Sequence, residues 1–548
     1  MAEVPITAVG VVRNLPLAEL SFILSRESPL EERIRKTQEI LEREDSQGFR
    51  EEISRRVLHF VPTEALVPEM YKHWRPAVYD AMFFMMSRLS APRLAPKIVE
   101  QIDLPPETAP EERLLRLIAK VPGLQKLGQV LARNRNLPQS LRRALMRLEN
   151  GIRDVSAGEV QAIIRKELGN RLKELSVKVQ SSIYIEASVS AVVRFSWWNP
   201  DIKKRERCVF KVLKPYIPEC FSEDMDLLAR LARHLGSRAK SYSFARNVLA
   251  DTFDDVRRLL QHEVDFTREQ STLKKAAELY RSVPDISVPR VIDPLCTGKI
   301  TAMTEERGKK ITDAVAHMSE WQRAEVSEQL IDAVIAVPLF APKGDMLFHA
   351  DPHAGNLLYD SRTSELTILD WALTETLSLE QRKKLAMLFL MIVLRDPVGA
   401  SDAILALSPP GGRRKAGKAK RIREEVDRYL DGLPVRRIPR PLDAMNLLEQ
   451  VAWEGVRMPR SLLMFRKALF TLDGILYDIA APDFSMQSVM FKHMLRTWRA
   501  TTKNIGAPLS LGDWIQVQCS ALLFPGRLGL KGLQSMLERR DGTAAADH

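Results

Sequence analysis

Between Glu186 and Leu213 the apolar residues change period. Val189, Ala191, Val193 and Phe195 alternate with smaller or polar neighbours, Asn199-Pro200-Asp201 supplies a turn, and Cys208-Val-Phe-Lys-Val-Leu forms a second apolar run. Alternation of this kind sets one face of a strand against a core, so the stretch predicts a strand–turn–strand unit. Elsewhere the spacing is helical. Leu30, Ile34, Leu41, Ile53 and Val57 follow Ser28-Pro29-Leu30-Glu31, which predicts an N-cap, a first-turn proline and a capping-box glutamate. Asp224–Leu235, Asp251–Arg281 and Trp321–Phe340 predict further helices, and Ile286–Ile292 and Lys299–Thr304 predict short strands. A small strand block followed by long helices predicts an α+β chain, with a β-rich lobe ahead of an α-rich one.

A chain of 548 residues exceeds what one compact core usually takes, so two or three domains are expected. With 45% hydrophobic and 28% charged residues, wholesale disorder is excluded. The 82 Lys+Arg against 70 Asp+Glu give +12, which favours contact with nucleic acid, acidic lipid headgroups or nucleotide phosphates. Part of the excess is local: GGRRKAGKAKRIR at 411–423 reads as a Gly-punctuated basic loop entering a helix. Cys208, Cys220, Cys296 and Cys519 form no CxxC pair, so neither a zinc knuckle nor a disulfide framework is suggested and a reducing, cytoplasmic setting is expected. The opening residues lack a basic stretch followed by an apolar core, so no signal peptide is expected. The longest apolar run, LAMLFLMIVL at 385–394, is far short of the roughly 20 residues a membrane span needs and predicts a buried helix.

The chemistry is concentrated in LFHADPHAGNLLYD at 347–360. His349 and His353 have a zinc-like spacing, but Pro352 between them and Gly355-Asn356 after them argue against one helical face, and a third ligand is wanting. Phosphoryl transfer accounts for more of the residues. Asp351 and Asn356 fit D-x-x-x-x-N, in which the aspartate orients the attacking hydroxyl and the asparagine oxygen holds magnesium. The strand Leu366–Leu369 ends at Asp370-Trp371-Ala372, which places a second acid for magnesium. Lys211 lies inside the apolar run VFKVL, where an ammonium needs an acid and a phosphate nearby. Glu263 and Glu269 in HEVDFTRE are the candidate acids.

Taken with LQKLGQ at 124–129, which carries Lys126-Leu127-Gly128-Gln129, these motifs resemble the UbiB/AarF family of atypical protein-kinase-like proteins. LPQSLRRALMRL at 137–148, Glu263-Val264-Asp265, HADPHAGN and FRKALFTLDG at 465–474 resemble further segments of that family. The resemblance implies a bilobal kinase-like fold with helical extensions at both ends. It divides the chain into a helical extension (1–102), a linker (103–112), a K-x-G-Q segment (113–180), an N-lobe (181–310), a C-lobe (311–400), a basic loop and linker (401–440) and a helical C-terminal region (441–548). It implies ATP and Mg2+ as cofactors, Asp351, Lys211 and Glu269 as catalytic residues, Asn356 and Asp370 as metal ligands, and Ala187, Ser188, Lys211 and Met303 beside the nucleotide. Lys126 and Gln129, with Glu263 and Asp265, become a regulatory lid in which Lys126 pairs with the two acids and bars protein substrates.

Some positions depart from the family pattern. Its alanine-rich loop appears here as Ile185-Glu186-Ala187-Ser188-Val189-Ser190-Ala191-Val192, with an acid near the expected phosphates; the usual D-F-G is Asp-Trp-Ala; and Thr304 stands where the hinge often has glutamate. The resemblance implies a lipid or quinone-precursor ligand, an anionic membrane surface as a peripheral partner at the inner membrane face, and no nucleic acid. Two alternatives remain open at this stage: a small-molecule phosphotransferase of the aminoglycoside or choline kinase type, and a nucleotide-binding pseudokinase scaffold.

Overall fold

The computed structural model describes residues 28–43, 47–67, 75–125, 154–238, 260–341, 344–407, 416–434, 437–453, 458–482, 484–490 and 512–527, with a few isolated positions between these runs. Contacts divide the chain into two units, Met1–Thr267 with Ile292–Thr304, and Arg268–Val291 with Glu305–His548.

The first unit begins with helices α1 (Leu30–Leu41), α2 (Gln47–His59), α3 (Arg75–Arg88), α4 (Ala91–Asp103) and α5 (Pro110–Ile118). Their apolar stripes, including Leu41, Val57, Leu94, Ile98 and Leu115, share one core with Leu227, Leu228 and Leu231. Those three leucines belong to a longer helix that follows α6 (Ala157–Leu168), namely α7 (Ile217–Ser237). Arg93 of α4 pairs with Glu223 at 2.9 Å and Asp224 at 2.7 Å on α7, fixing the register of the two helices. The expected cap of α1 differs in detail. Pro29 itself occupies the N-cap, so Ser28 sits one residue too early to cap, and no side chain does so.

The sheet of this unit runs β1 (Lys178–Glu186), β2 (Ser190–Asn199), β3 (Lys204–Leu213) and, after a strand β4 (Ile286–Ser287) of the other unit, β5 (Ile300–Thr304); all its neighbours are antiparallel. The alternating Ala191, Val193, Phe195 and Trp197 are buried, and Phe195 stacks on Phe210 with centroids 3.7 Å apart. Helix α6 opens with a Ser156/Glu159 capping box and lays Val160, Ile164 and Leu168 on this face.

In the second unit β4 runs parallel to β9 (Glu365–Ile368), which pairs with β8 (Leu357–Asp360), itself paired with β6 (Lys309–Lys310); β7 (Met346–His349) pairs with β10 (Thr374–Leu377). Helix α8 (Phe266–Tyr280) starts at the unit boundary, and α9 (Glu320–Ile331) continues through a π-helical turn, Asp332–Ala336, to Phe340. Then come α10 (Leu379–Val393), α11 (Pro397–Leu407), α12 (Ala416–Gly432), α13 (Pro441–Trp453), α14 (Arg460–Ile479) and a helix at 512–527. The apolar run at 385–394 lies in α10 and is largely buried, and no described helix is long and apolar enough to cross a membrane.

Three expectations need correction. The helix expected over Asp251–Arg281 breaks at Asp265. The strand expected over Ile286–Ile292 is continuous only at Ile286–Ser287; Pro289 interrupts it, and Val291 makes an isolated bridge. The segment 401–440, expected as loop and linker, carries the end of α11 and all of α12.

Candidate functional site

Strand β7 ends at His349, and the backbone then turns through residues 351–353 into a single 3-10 turn, Ala354–Asn356. His349 is 1% exposed. Its Nδ1 accepts from the amide of Asp351 at 3.2 Å, while Nε2 lies 3.1 Å from the carbonyl of Leu369 and 3.0 Å from that of Asp370. This pattern puts the proton on Nε2 and keeps the ring neutral, in keeping with burial that lowers its pKa. His353 Nδ1 accepts from the amide of Gly355, where a Cβ would come within 2.9 Å of the ring. Both imidazoles therefore shape the loop. Among the described residues no three His, Cys, Asp or Glu side chains converge as a metal centre, which leaves the zinc reading without support.

The same turn positions Asp351, 7% exposed, and Asn356, 9% exposed. Asn356 donates its Nδ2 to the carbonyl of Asp351 at 3.3 Å, which orients its side-chain oxygen away from that contact. Its own carbonyl accepts from Leu369 at 2.8 Å, which holds the end of β9 and hence Asp370 beside the loop. Asp370 is exposed and has φ +53°, a left-handed conformation uncommon outside glycine. The turn is pinned by Trp371. That indole is fully buried, donates to Ile368 at 3.0 Å, packs edge-on to His349, and its carbonyl accepts from Thr272 of α8 at 2.7 Å. Tryptophan in place of phenylalanine thus supplies a hydrogen bond and a large buried surface that hold the strained acid in place.

A further side chain joins this cluster from a distant element. Phe465 of α14 packs edge-to-face on Phe348 at 5.3 Å, and Arg460 pairs with Glu375 of β10 at 3.2 Å. Anchored in this way, α14 brings Lys467 Nζ to 3.4 Å from Asp351 Oδ1. FRKALFTLDG carried the sequence resemblance without a role for this lysine; only the packing of α14 on the β7/β10 strand pair gives it one.

In the first unit Lys211 is 9% exposed on β3, opposite Thr301 and Val192, with Nζ 5.7 Å from the Phe266 ring centroid. Met303 of β5 lies opposite Val209, and the Ala187–Val189 loop is closed by a bond from Ala187 N to Ser190 O at 2.8 Å. Ser188 donates to Glu263 at 3.4 Å, and Asp265 lies exposed at the helix break. Glu186 is buried in a polar cluster. Lys214 reaches it at 3.1 Å and Asp154 at 2.7 Å, and Tyr216 donates to Asp154 at 2.9 Å. The charge of Glu186 is thus balanced by Lys214, the residue that directly follows β3. Glu269, 3% exposed on the first turn of α8, belongs to the second unit with Asp351, Asn356 and Asp370. Lys126 and Gln129 lie outside the described residues, as does their pairing with Glu263 and Asp265.

Comparison with known proteins bears on this arrangement. A family model described as ABC1 atypical kinase-like domain matches residues 147–402. The chain is 24% identical over 375 residues to Protein ACTIVITY OF BC1 COMPLEX KINASE 7, chloroplastic, of Arabidopsis thaliana, covering 67% of this chain and 51% of that one. It is 24% identical over 278 residues to the Probable protein kinase UbiB of Azotobacter vinelandii, covering 50% and 49%. It is 24% identical over 300 residues to the Atypical kinase COQ8, mitochondrial, of Saccharomyces cerevisiae, covering 54% and 57%. The matched stretch thus spans about half the length of these curated relatives.

Proposed function

Because this chain belongs to the UbiB family of ABC1 atypical kinase-like proteins, we propose that it is an atypical kinase or ATPase that takes ATP with magnesium and acts in quinone or other lipid metabolism rather than in general protein phosphorylation. The observation that supports this most is the bonded run from Asp351 through Asn356 to Leu369-Asp370, which holds a loop with a buried carboxylate and an oriented amide oxygen against the strand end that carries an exposed carboxylate. All three are oxygen donors. That donor set suits a hard cation sharing phosphate oxygens and water, with Asn356 and Asp370 as the protein ligands. Magnesium bound there would offset negative charge on the phosphates.

In this reading Asp351 accepts the proton of the attacking hydroxyl or water, and Lys211 supplies the cation for the nucleotide phosphates, with Glu269 as the family's partner acid for it. Ala187, Ser188 and Met303 border the nucleotide. Lys126 and Gln129, with Glu263 and Asp265, form the lid that bars protein substrates, leaving slow hydrolysis or transfer to a small lipid-like acceptor. The basic chain associates peripherally with anionic membranes. The family match favours this reading over a small-molecule phosphotransferase of the choline kinase type, while a pseudokinase scaffold would keep the fold and lose turnover.

Thermal melts with ATP or ADP, with and without magnesium, test the proposal. A magnesium-dependent upward shift is expected, and its absence with every nucleotide would end both the kinase and the ATPase reading. No phosphorylation of generic protein substrates in trans is expected. Lys126→Ala should change the nucleotide titration, whereas Lys120→Ala should leave it as in the wild type.

A further inference from the structure

The second unit contains a cavity of about 470 Å³ that the phosphoryl-transfer reading does not use. One wall is a single stripe of α10: Ala386, Phe389, Leu390 and Val393 recur at the spacing that puts side chains on one helical face. Ile438 and Phe524 also contribute to the lining. The volume falls within the usual range for small-molecule sites of about 300–1,000 Å³, and the lining is mainly apolar, as such sites are.

The charged groups of the cavity lining are arginines, beside the neutral Gln487 and Ser488. Arg395, Arg437 and Arg440 contribute to its lining. Arg437 is held by both carboxylate oxygens of Asp443, at 2.8 and 2.9 Å. Arg395 is different. It is 4% exposed and donates to the carbonyls of Leu430, Leu433 and Pro434 at 3.1, 3.2 and 2.6 Å around the end of α12, with the opposite charge of Asp431 acting on it through space. Its backbone is also strained, with φ +49° at the position after α10 where the bonds from Arg395 N to Ile392 O and from Asp396 N to Met391 O close a motif that normally takes glycine. Arg440 lies 3.7 Å from Asp473, a loose pair, and its buried Nε has no hydrogen-bond partner. Arg395, kept where glycine is favoured, and Arg440, with its Nε unbonded, place two cations beside an apolar cavity, an arrangement that suits an anionic head group.

We propose that this cavity binds a single-chain anionic amphiphile, its apolar chain along the Ala386–Val393 stripe and its carboxylate or phosphate head at Arg395 and Arg440. The inference stands on the second unit alone and does not depend on nucleotide chemistry.

Calorimetric titration of the full chain with dodecanoate, dodecyl phosphate and dodecanol, each below its aggregation limit, tests it. Both anions should bind, and the alcohol should bind at least tenfold more weakly. The relative strength of carboxylate and phosphate identifies the head. Removing two methylenes should weaken either anion by about fifteenfold if the chain is fully buried. Val393→Trp should abolish binding by filling the cavity. Arg440→Ala should weaken the anions about tenfold without affecting the alcohol, and because that side chain is half exposed and loosely paired the variant should keep the parent far-UV spectrum. Equal affinity for dodecanol, unchanged binding in Val393→Trp, or no binding by the wild type would each overturn the proposal. If Val393→Trp fails to fold, Ala386→Leu and Arg440→Ala carry the same decision.

Discussion

At the level of single residues, Lys467 and Lys214 make opposite demands on their surroundings. Lys467 is one-third exposed and touches a buried carboxylate at the edge of the reacting region, so its removal should affect chemistry more than folding. Lys467→Ala should lower ATP turnover by about tenfold to a hundredfold, in the range of lost electrostatic support at a reacting group, with the magnesium–nucleotide melting shift retained and Lys467→Arg recovering part of the rate. A lost melting shift with unchanged turnover would contradict that role. Lys214 is 1% exposed between Asp154 and Glu186. Lys214→Ala strands two buried acids and should cost about 3–5 kcal/mol in urea unfolding. Asp370→Asn should remove most of the magnesium-dependent stabilisation, which amounts to about 2.7 kcal/mol at a hundredfold excess of nucleotide over its Kd. Spacing in the sequence singled out Asp351 and Asn356, and the end of the following strand singled out Asp370; the structure bonds that strand end to the Asn356 loop. Lys467 could not be singled out in this way, because nothing local to 465–474 says which strand pair its helix covers.

Among the elements, the α4–α5 contact carries a pH signature. Lys97 of α4 donates to the carbonyls of Ala119 at 2.5 Å and Arg116 at 3.5 Å at the end of α5, and burial pushes its ammonium down to about 7. In the unfolded chain a lysine titrates near 10.4. Between these values the unfolded state holds the extra proton, so the cost of burying Lys97 is felt in full below pH 7 and recedes as pH rises. Relative to Lys97→Met, wild-type stability in urea should therefore rise by up to about 1.4 kcal/mol per pH unit from pH 7 towards 10, and a flat difference would refute the shifted lysine. Elements with a strong pattern were legible: α7 and the β2–β3 hairpin bury the face their spacing implied, and α10 is buried on all sides as its unbroken apolar run implied. β1 was not, because its nine residues are mostly exposed and offer no alternation. Nor was the break at Asp265, since the local pattern of HEVDFTRE is helical on both sides and tertiary placement decides where it stops.

For the molecule as a whole, +12 should act at long range. Flotation with anionic vesicles at about 0.01 M salt should carry the protein up, and raising salt to about 0.15 M, where the screening length falls from about 30 to 8 Å, should release much of it; neutral vesicles should not capture it under either condition. Equal recovery with both vesicle types would remove the electrostatic part of membrane association. The chain path adds a constraint of another kind. It leaves the first unit at Thr267, returns for Ile292–Thr304 and leaves again, and β4, laid down during that excursion, finds its partner β9 only at 365–368. A nascent chain on the ribosome thus cannot complete the first sheet until β5 has emerged, and must then hold β4 unpaired for on the order of several seconds of synthesis at about 5–20 residues per second. Neither unit is a contiguous stretch of gene. Truncation at a single point between residues 267 and 368 would leave at least one sheet without a strand, so neither sheet can be completed from a contiguous fragment that stops there.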